Sequence, residues 1–269
     1  MIRERRTALV MSIGPAALVF VASAIVALFS HRSPTRLALE LSWAPPSAAR
    51  PLGSGEAGVD VMALVGHGTF RALVLALGVT AFGFVVGVPL GTTAALASSQ
   101  RQQIVLRLCD LVQSFPTFLL ALGVLAAVRV PSRWHIGVVF GLAVWAPFAR
   151  MALVQARAIA GAAFVEAAKA LGATRARVVA LHVLPNVLAP VTVQLGSAAA
   201  GVVLGETALG FVGLGPRDGV SLGALLEQGT VGMLRAPHVL AAGAVAVILV
   251  SGSLQMASEG IRRWVVKEA

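Results

Sequence analysis

Glu206 is the one acid set at the end of an otherwise apolar run, with no basic residue near it in sequence. An ionisable group among apolar residues is expensive to bury, so it marks either a coupling or conducting group or a structural hydrogen bond to backbone opened at Gly205 or Gly210. Few other residues have the types and spacing for chemistry. A phosphate-cradling loop ends in Gly-Lys-Ser/Thr, but the only lysines are Lys169 and Lys267, and neither follows a glycine. The 5 histidines are scattered, and neither HExxH nor a paired-cysteine motif occurs. Gly219-Val220-Ser221-Leu222-Gly223 spells a nucleophile-elbow pattern, yet Pro216-Arg217-Asp218 stands where that elbow needs a buried strand. Cys109 is the single cysteine, which excludes an internal disulfide, and it reads as a small packing residue. His182 reads as a helix-end hydrogen-bonding residue. The sequence therefore predicts no catalytic residue, no metal ligand and no cofactor-binding residue in this chain.

The elements around these residues are membrane elements. With 58% hydrophobic and 12% charged residues, the chain reads as an all-α, polytopic membrane protein. The net charge of +10 comes without a basic stripe interleaved with aromatics, which excludes a nucleic-acid partner and leaves the lipid bilayer as the surroundings. Apolar runs at residues 7–31, 72–99, 111–128, 134–149 extending toward 154, from after Pro185 to 205, and 236–258 suit six transmembrane helices at about 20 residues per crossing. Residues 101–110 are expected as a short cytoplasmic connection, and Arg150 as a snorkelling side chain. Pro34, Pro45, Pro46 and Pro51 mark residues 32–68 as a loop outside the bilayer. Residues 1–68 are thus expected as an N-terminal helix with its extracytoplasmic loop, and 69–269 as a five-helix domain. Gly78, Gly83, Gly87 and Gly91 predict a small, packed face on the second helix. Both termini are expected in the cytoplasm, with 13 of the 21 Lys and Arg residues on that side. The N-terminal run is longer than a cleavable signal's apolar region, and no clear small-x-small site follows it.

Between the fourth and fifth runs lies a polar, alanine-rich stretch, Phe164 to Asn186. Good helix formers reach Leu171, Gly172 suits a left-handed stop, and Thr174 can cap a second helix that Pro185 limits. Phe164, Ala167, Ala168 and Leu171 fall at helical spacing beside Glu166 and Lys169. Such a stripe suits either a partner's groove or the protein's own surface.

Glu166-Ala167-Ala168, then Gly172, His182 and Leu184-Pro185-Asn186, resemble the EAA loop of binding-protein-dependent ABC importer permeases. Residues 52–60 partly resemble the LGTDxxGRD segment of the dipeptide, oligopeptide and nickel branch, with Gly55 in place of the first Asp and Val59 in place of Arg. Glu206 through Gly215 resemble that branch's TEASLSFLGLG stretch. An external segment is then implied at residues 216–238, where Leu222, Leu225 and Leu226 could form one face of an interfacial helix. The resemblance implies a non-catalytic permease subunit in a bacterial cytoplasmic membrane, carrying a small solute, di- or oligopeptides foremost. Residues 159–186 become the coupling segment, with Phe164, Glu166, Ala167, Ala168, Leu171, Gly172, Thr174 and Arg175 docking the ATPase. The implied partners are a homologous permease, two cytoplasmic ATPase subunits that hold ATP and Mg, and an extracytoplasmic solute-binding protein. Ser54 and Thr174 are then expected to be accessible from opposite faces. The rival reading is a secondary transporter or channel in which Glu206 couples or conducts.

Overall fold

A computed structural model of the protein describes residues 2–29, 33–128 and 130–266. Lipid offers backbone N–H and C=O groups no partner, and a helix satisfies them internally. Among the described residues every regular element is helical. α1 (Ile2–Phe29) is followed by a loop and by α2 (Val61–Ala95). α2 starts well before Ala72 because Asp60 caps it, its carboxylate accepting from the backbone N–H of Met62 at 2.9 Å and Ala63 at 3.2 Å. The outer loop therefore ends at Asp60, and the boundary expected at residue 68 falls inside α2.

Residues 101–110 are helical rather than a connection: α3 (Ser99–Ser114) includes them. Buried Val105 and Cys109, with half-buried Val112, pack α3 on the core, and Cys109 is the small packing residue expected of it. α4 (Thr117–Ala127) follows a bend of 66°. α5 (Arg133–Ala160) passes Pro147 and runs beyond Val154, and Arg150 is paired with Asp110 of α3 instead of reaching alone for the interface. Then come α6 (Ala163–Ala170), α7 (Arg175–Val178), α8 (Leu184–Thr192), α9 (Gln194–Phe211), α10 (Leu222–Val231) and α11 (Pro237–Val266). Among the described residues four helices, α1, α2, α5 and α11, are long and apolar enough to cross a membrane. The bent pairs α3–α4 and α7–α9, the latter broken by 49°, bring the total to the expected 6 when each counts as one span.

α2 and α5 make the tightest pair. A Cβ on Gly83, Gly87 or Gly91 would strike backbone or side-chain atoms of Val144, Trp145, Phe148 or Ala149, so this ridge of three glycines at four-residue spacing is what lets the two helices touch. Gly78, expected on the same packed face, is open. α1 lies against α2 and α11, with Phe20 and Phe70 at 5.8 Å between ring centroids. α10 departs from the interfacial helix expected of it. Leu222 and Leu225 are buried, because α10 packs against α9 and α11 rather than facing lipid. Ser221 caps it by accepting from Ala224 N–H at 3.1 Å, so the elbow-like pattern is a helix start. The outer loop folds back on these helices: Trp43, Leu52 and Val59 cluster with Val220, Leu225 and Val239.

Candidate functional site

The polar stretch after α5 is built from local signals. Gly172 takes φ +83°, its N–H donates to Lys169 C=O at 3.0 Å, and Ala173 N–H reaches back to Ala168 C=O at 3.0 Å. That pair of bonds is a Schellman stop, which ends α6 where a left-handed residue is cheapest. Thr174 then caps α7, its hydroxyl accepting from Arg177 N–H at 3.3 Å. The two short helices form the expected elbow, and Phe164, Glu166, Ala167, Ala168, Leu171, Gly172, Thr174 and Arg175 all lie on it. Pro185 does not limit the second helix. A π-helical turn at Val179–Val183, with Leu184 N–H donating to Val179 C=O, widens the chain ahead of the proline, and α8 continues. His182 sits half-buried in that turn, its carbonyl accepting from Asn186 Nδ2 at 2.7 Å.

Burial separates anchor from display. Val165 and Val178 are fully buried in a cluster shared with residues of α2, α3 and α5, at about 1.5–3 kcal/mol each. Phe164 is 49% exposed and Leu171 89% exposed. An apolar pair is thus held outward on an element fixed from below, with Lys169 and Arg175 beside it. Residues 95–97, Ala160 and α6–α7 also enclose a hollow of about 440 Å³ behind the elbow. The end of α2 is clamped to α5 through Gln102, whose amide donates to Ala95 and Ala97 carbonyls at 2.8 and 3.0 Å while its oxygen accepts from Arg157 Nε at 2.6 Å. The sequence pointed to the displayed residues but not to Val165, Val178 or Gln102. The spacing of Val165 from Val178 spans two helices, so no single-helix period reveals it.

Glu206 lies apart, in α9, and is 2% exposed. α9 runs unbroken from Gln194 to Phe211, so there is no opened backbone at Gly205 or Gly210 for it to serve. Among the described residues its Oε2 has no hydrogen-bond partner, and the expected structural bond from that oxygen is not made there. At the far end of α5 from the elbow, Asp218 joins three elements. Its carboxylate accepts from Arg71 of α2 at 2.7 Å and from Arg133 of α5 at 3.3 Å, while Arg133 also donates to Val220 C=O at 2.7 Å. Burial pushes the Asp218 carboxyl up, but the Val220 N–H and the two guanidiniums outweigh it and hold it below the ordinary carboxylate range. Sequence reading missed this lock because Arg71 and Asp218 stand 147 residues apart.

A further cavity, of about 390 Å³, sits between α3–α4, α5 and α9. Gln113, Thr117, Gln194 and Ser197 line it with Phe140 and Pro147. The signal for it was a glutamine or serine beside each break in an apolar run.

Comparison with known proteins gives concordant results. A family model described as a binding-protein-dependent transport system inner membrane component matches residues 87–267. The chain is 28% identical over 251 residues to a probable D,D-dipeptide transport system permease protein of Escherichia coli K12, covering 91% of this chain and 84% of the relative. It is 26% identical to a glutathione transport system permease protein of Pectobacterium atrosepticum, covering 81% and 72%. In fold it is similar to a chain of the inward-facing MetNI methionine ABC transporter, with TM-score 0.62 at 22% identity, over 76% of this chain and 97% of that one.

Proposed function

This chain belongs to the family of binding-protein-dependent transport system inner membrane components, multi-pass proteins of the ABC importers, and from that membership we propose that it carries peptides under the drive of separate ATPase subunits. The observation that supports the coupling reading is the elbow. It presents Phe164 and Leu171 to the surroundings while Val165 and Val178 tie it to the spanning helices. Two cytoplasmic ATPase subunits, holding ATP and Mg, would receive this stripe, and a homologous permease would complete the pathway. An extracytoplasmic binding protein would deliver the solute to the opposite face. Closure of the ATPase pair would shift the elbow, and α5 and α8 would carry that shift into the membrane. The names of several relatives refer to dipeptides, peptides or glutathione, and these names support a short peptide as the solute.

The energy source tests the reading. In membrane vesicles loaded with ATP and a regenerating system, uptake of alanyl-alanine should survive a protonophore and stop when the ATPase partner is removed. Uptake that collapses with the proton gradient and ignores loss of the ATPase would support the rival reading of a secondary transporter using Glu206.

A further inference from the structure

Irregular backbone at membrane depth persists only where protein buries it or water reaches it. Two of the spanning segments, the α3–α4 and α7–α9 pairs, are broken near their middles, and the continuous α5 carries Pro147 near its own. Gln113 in the α3–α4 pair, Pro147 in α5 and Gln194 in the α7–α9 pair each stand within one residue of the midpoint of their segments, 99–127, 133–160 and 175–211. All three line the same cavity of about 390 Å³. Chance placement of breaks would scatter them along the spans.

The lining holds no charged side chain, and its polar groups, Gln113, Thr117, Gln194 and Ser197, are set among apolar ones. Gln113 and Ser197 are exposed, and Gln194 and Thr117 are partly so. The Gln113 amide donates to Cys109 C=O at 3.2 Å, which leaves its side-chain oxygen to accept. Behind Ser197 the polar set continues: its hydroxyl donates to Gln255 Oε1 at 3.0 Å and lies 3.2 Å from Ser258 Oγ, and Ser258 in turn donates to the Val193 carbonyl at the α8–α9 break. That bond satisfies a carbonyl at the break and fixes the break in place. Side-chain amides offer donors and acceptors together, the complement of a peptide group, whereas a charged lining would select the sign of the solute's side chains.

We propose that this mid-depth cavity is a water-filled contact station on the solute's path, where Gln113, Thr117, Gln194 and Ser197 exchange hydrogen bonds with the amide groups of a passing short peptide. The proposal rests on the peptide-import reading, and its test separates the two. In a Cys109→Ala background, Gln194→Cys and Thr117→Cys in native membranes should react with a small water-soluble maleimide about ten times faster than Ile248→Cys, because thiols react as thiolates and these need water. Ile248 is exposed near the middle of the apolar α11 and serves as the reference outside the cavity. In the assembled transporter, Gln194→Glu should raise the uptake ratio of alanyl-lysine to alanyl-glutamate by about tenfold, since a charge at the contact station favours the opposite sign. Labelling as slow as at Ile248 overturns the proposal. So does a Gln194→Glu variant that lowers uptake of both dipeptides equally, as a merely structural role would. Failure of the unaltered transporter to take up either dipeptide would remove the peptide reading instead, and the labelling rates alone would then decide whether the station exists.

Discussion

At the scale of single residues, two acids behave in opposite ways. Glu206 is buried in an unbroken helix, and its Oε2 has no hydrogen-bond partner among the described residues. A buried carboxylate oxygen without a partner gives the fold nothing that an amide of the same shape would not. Glu206→Gln is therefore expected to keep uptake within about twofold of the parent, because an uncharged group of equal size costs little there. Loss of all uptake at normal membrane abundance would instead assign the carboxylate a coupling role. Asp218 is half-exposed and held below the ordinary carboxylate range by Val220 N–H, Arg133 and Arg71 against the opposing effect of burial. A depressed carboxylate stabilises the fold above its unfolded value of about 3.9, and that contribution disappears as pH falls through the lower folded value. Thermal unfolding of the purified protein should accordingly lose the Asp218 contribution only in strong acid. Asp218→Asn should cost about 1 kcal/mol or less at neutral pH and show a shallower loss below pH 4. Equal acid sensitivity in the two proteins would mean the lock carries no stability.

At the scale of elements, the elbow turns on Gly172. A Cβ there would meet no atom within 4 Å, so the cost of a side chain is in the backbone alone. Gly172→Val at φ +83° must either accept a left-handed strain of about 1–2 kcal/mol or let α6 run on, and running on rotates Thr174 and Arg175 by about 100° per residue. The variant should insert at near-normal levels, lose most uptake and fail to co-purify with the ATPase, while Lys169→Ala stays close to the parent. Wild-type co-purification and uptake of Gly172→Val would show that docking occurs elsewhere. This element was legible in sequence because its determinants are neighbours: a left-handed glycine, a capping threonine and a stripe within one helix. α3 was not, since Arg101, Gln102, Gln103 and Arg107 give it the composition of a loop. Its helix is decided by Val105 and Cys109 packing on α5. For α10 the sequence showed a leucine face but not what covers it, because α9 and α11 are brought to it only by the fold.

At the scale of the whole molecule, the elbow and the outer loop should face opposite compartments. Ser54, expected to be accessible, is fully buried by the loop's own packing, whereas Ala48 is exposed. In a Cys109→Ala background, and with any outer membrane permeabilised, Ala48→Cys should react with an impermeant maleimide in intact cells and Thr174→Cys should not. The reverse order would invert the topology. The order of the spans could be read from hydropathy, but the partners of each span could not, because the α2 glycine ridge and the Arg71–Asp218–Arg133 lock join distant parts of the chain. That glycine ridge also sets a mechanical ratio. With backbone against backbone, α2 and α5 have no compressible side-chain layer between them and must tilt as one beam, and α5 with its 28 residues is about 42 Å long. Pivoted at its elbow end, a tilt of about 10° moves the tip that carries Arg133 by about 7 Å, further than one helical turn rises.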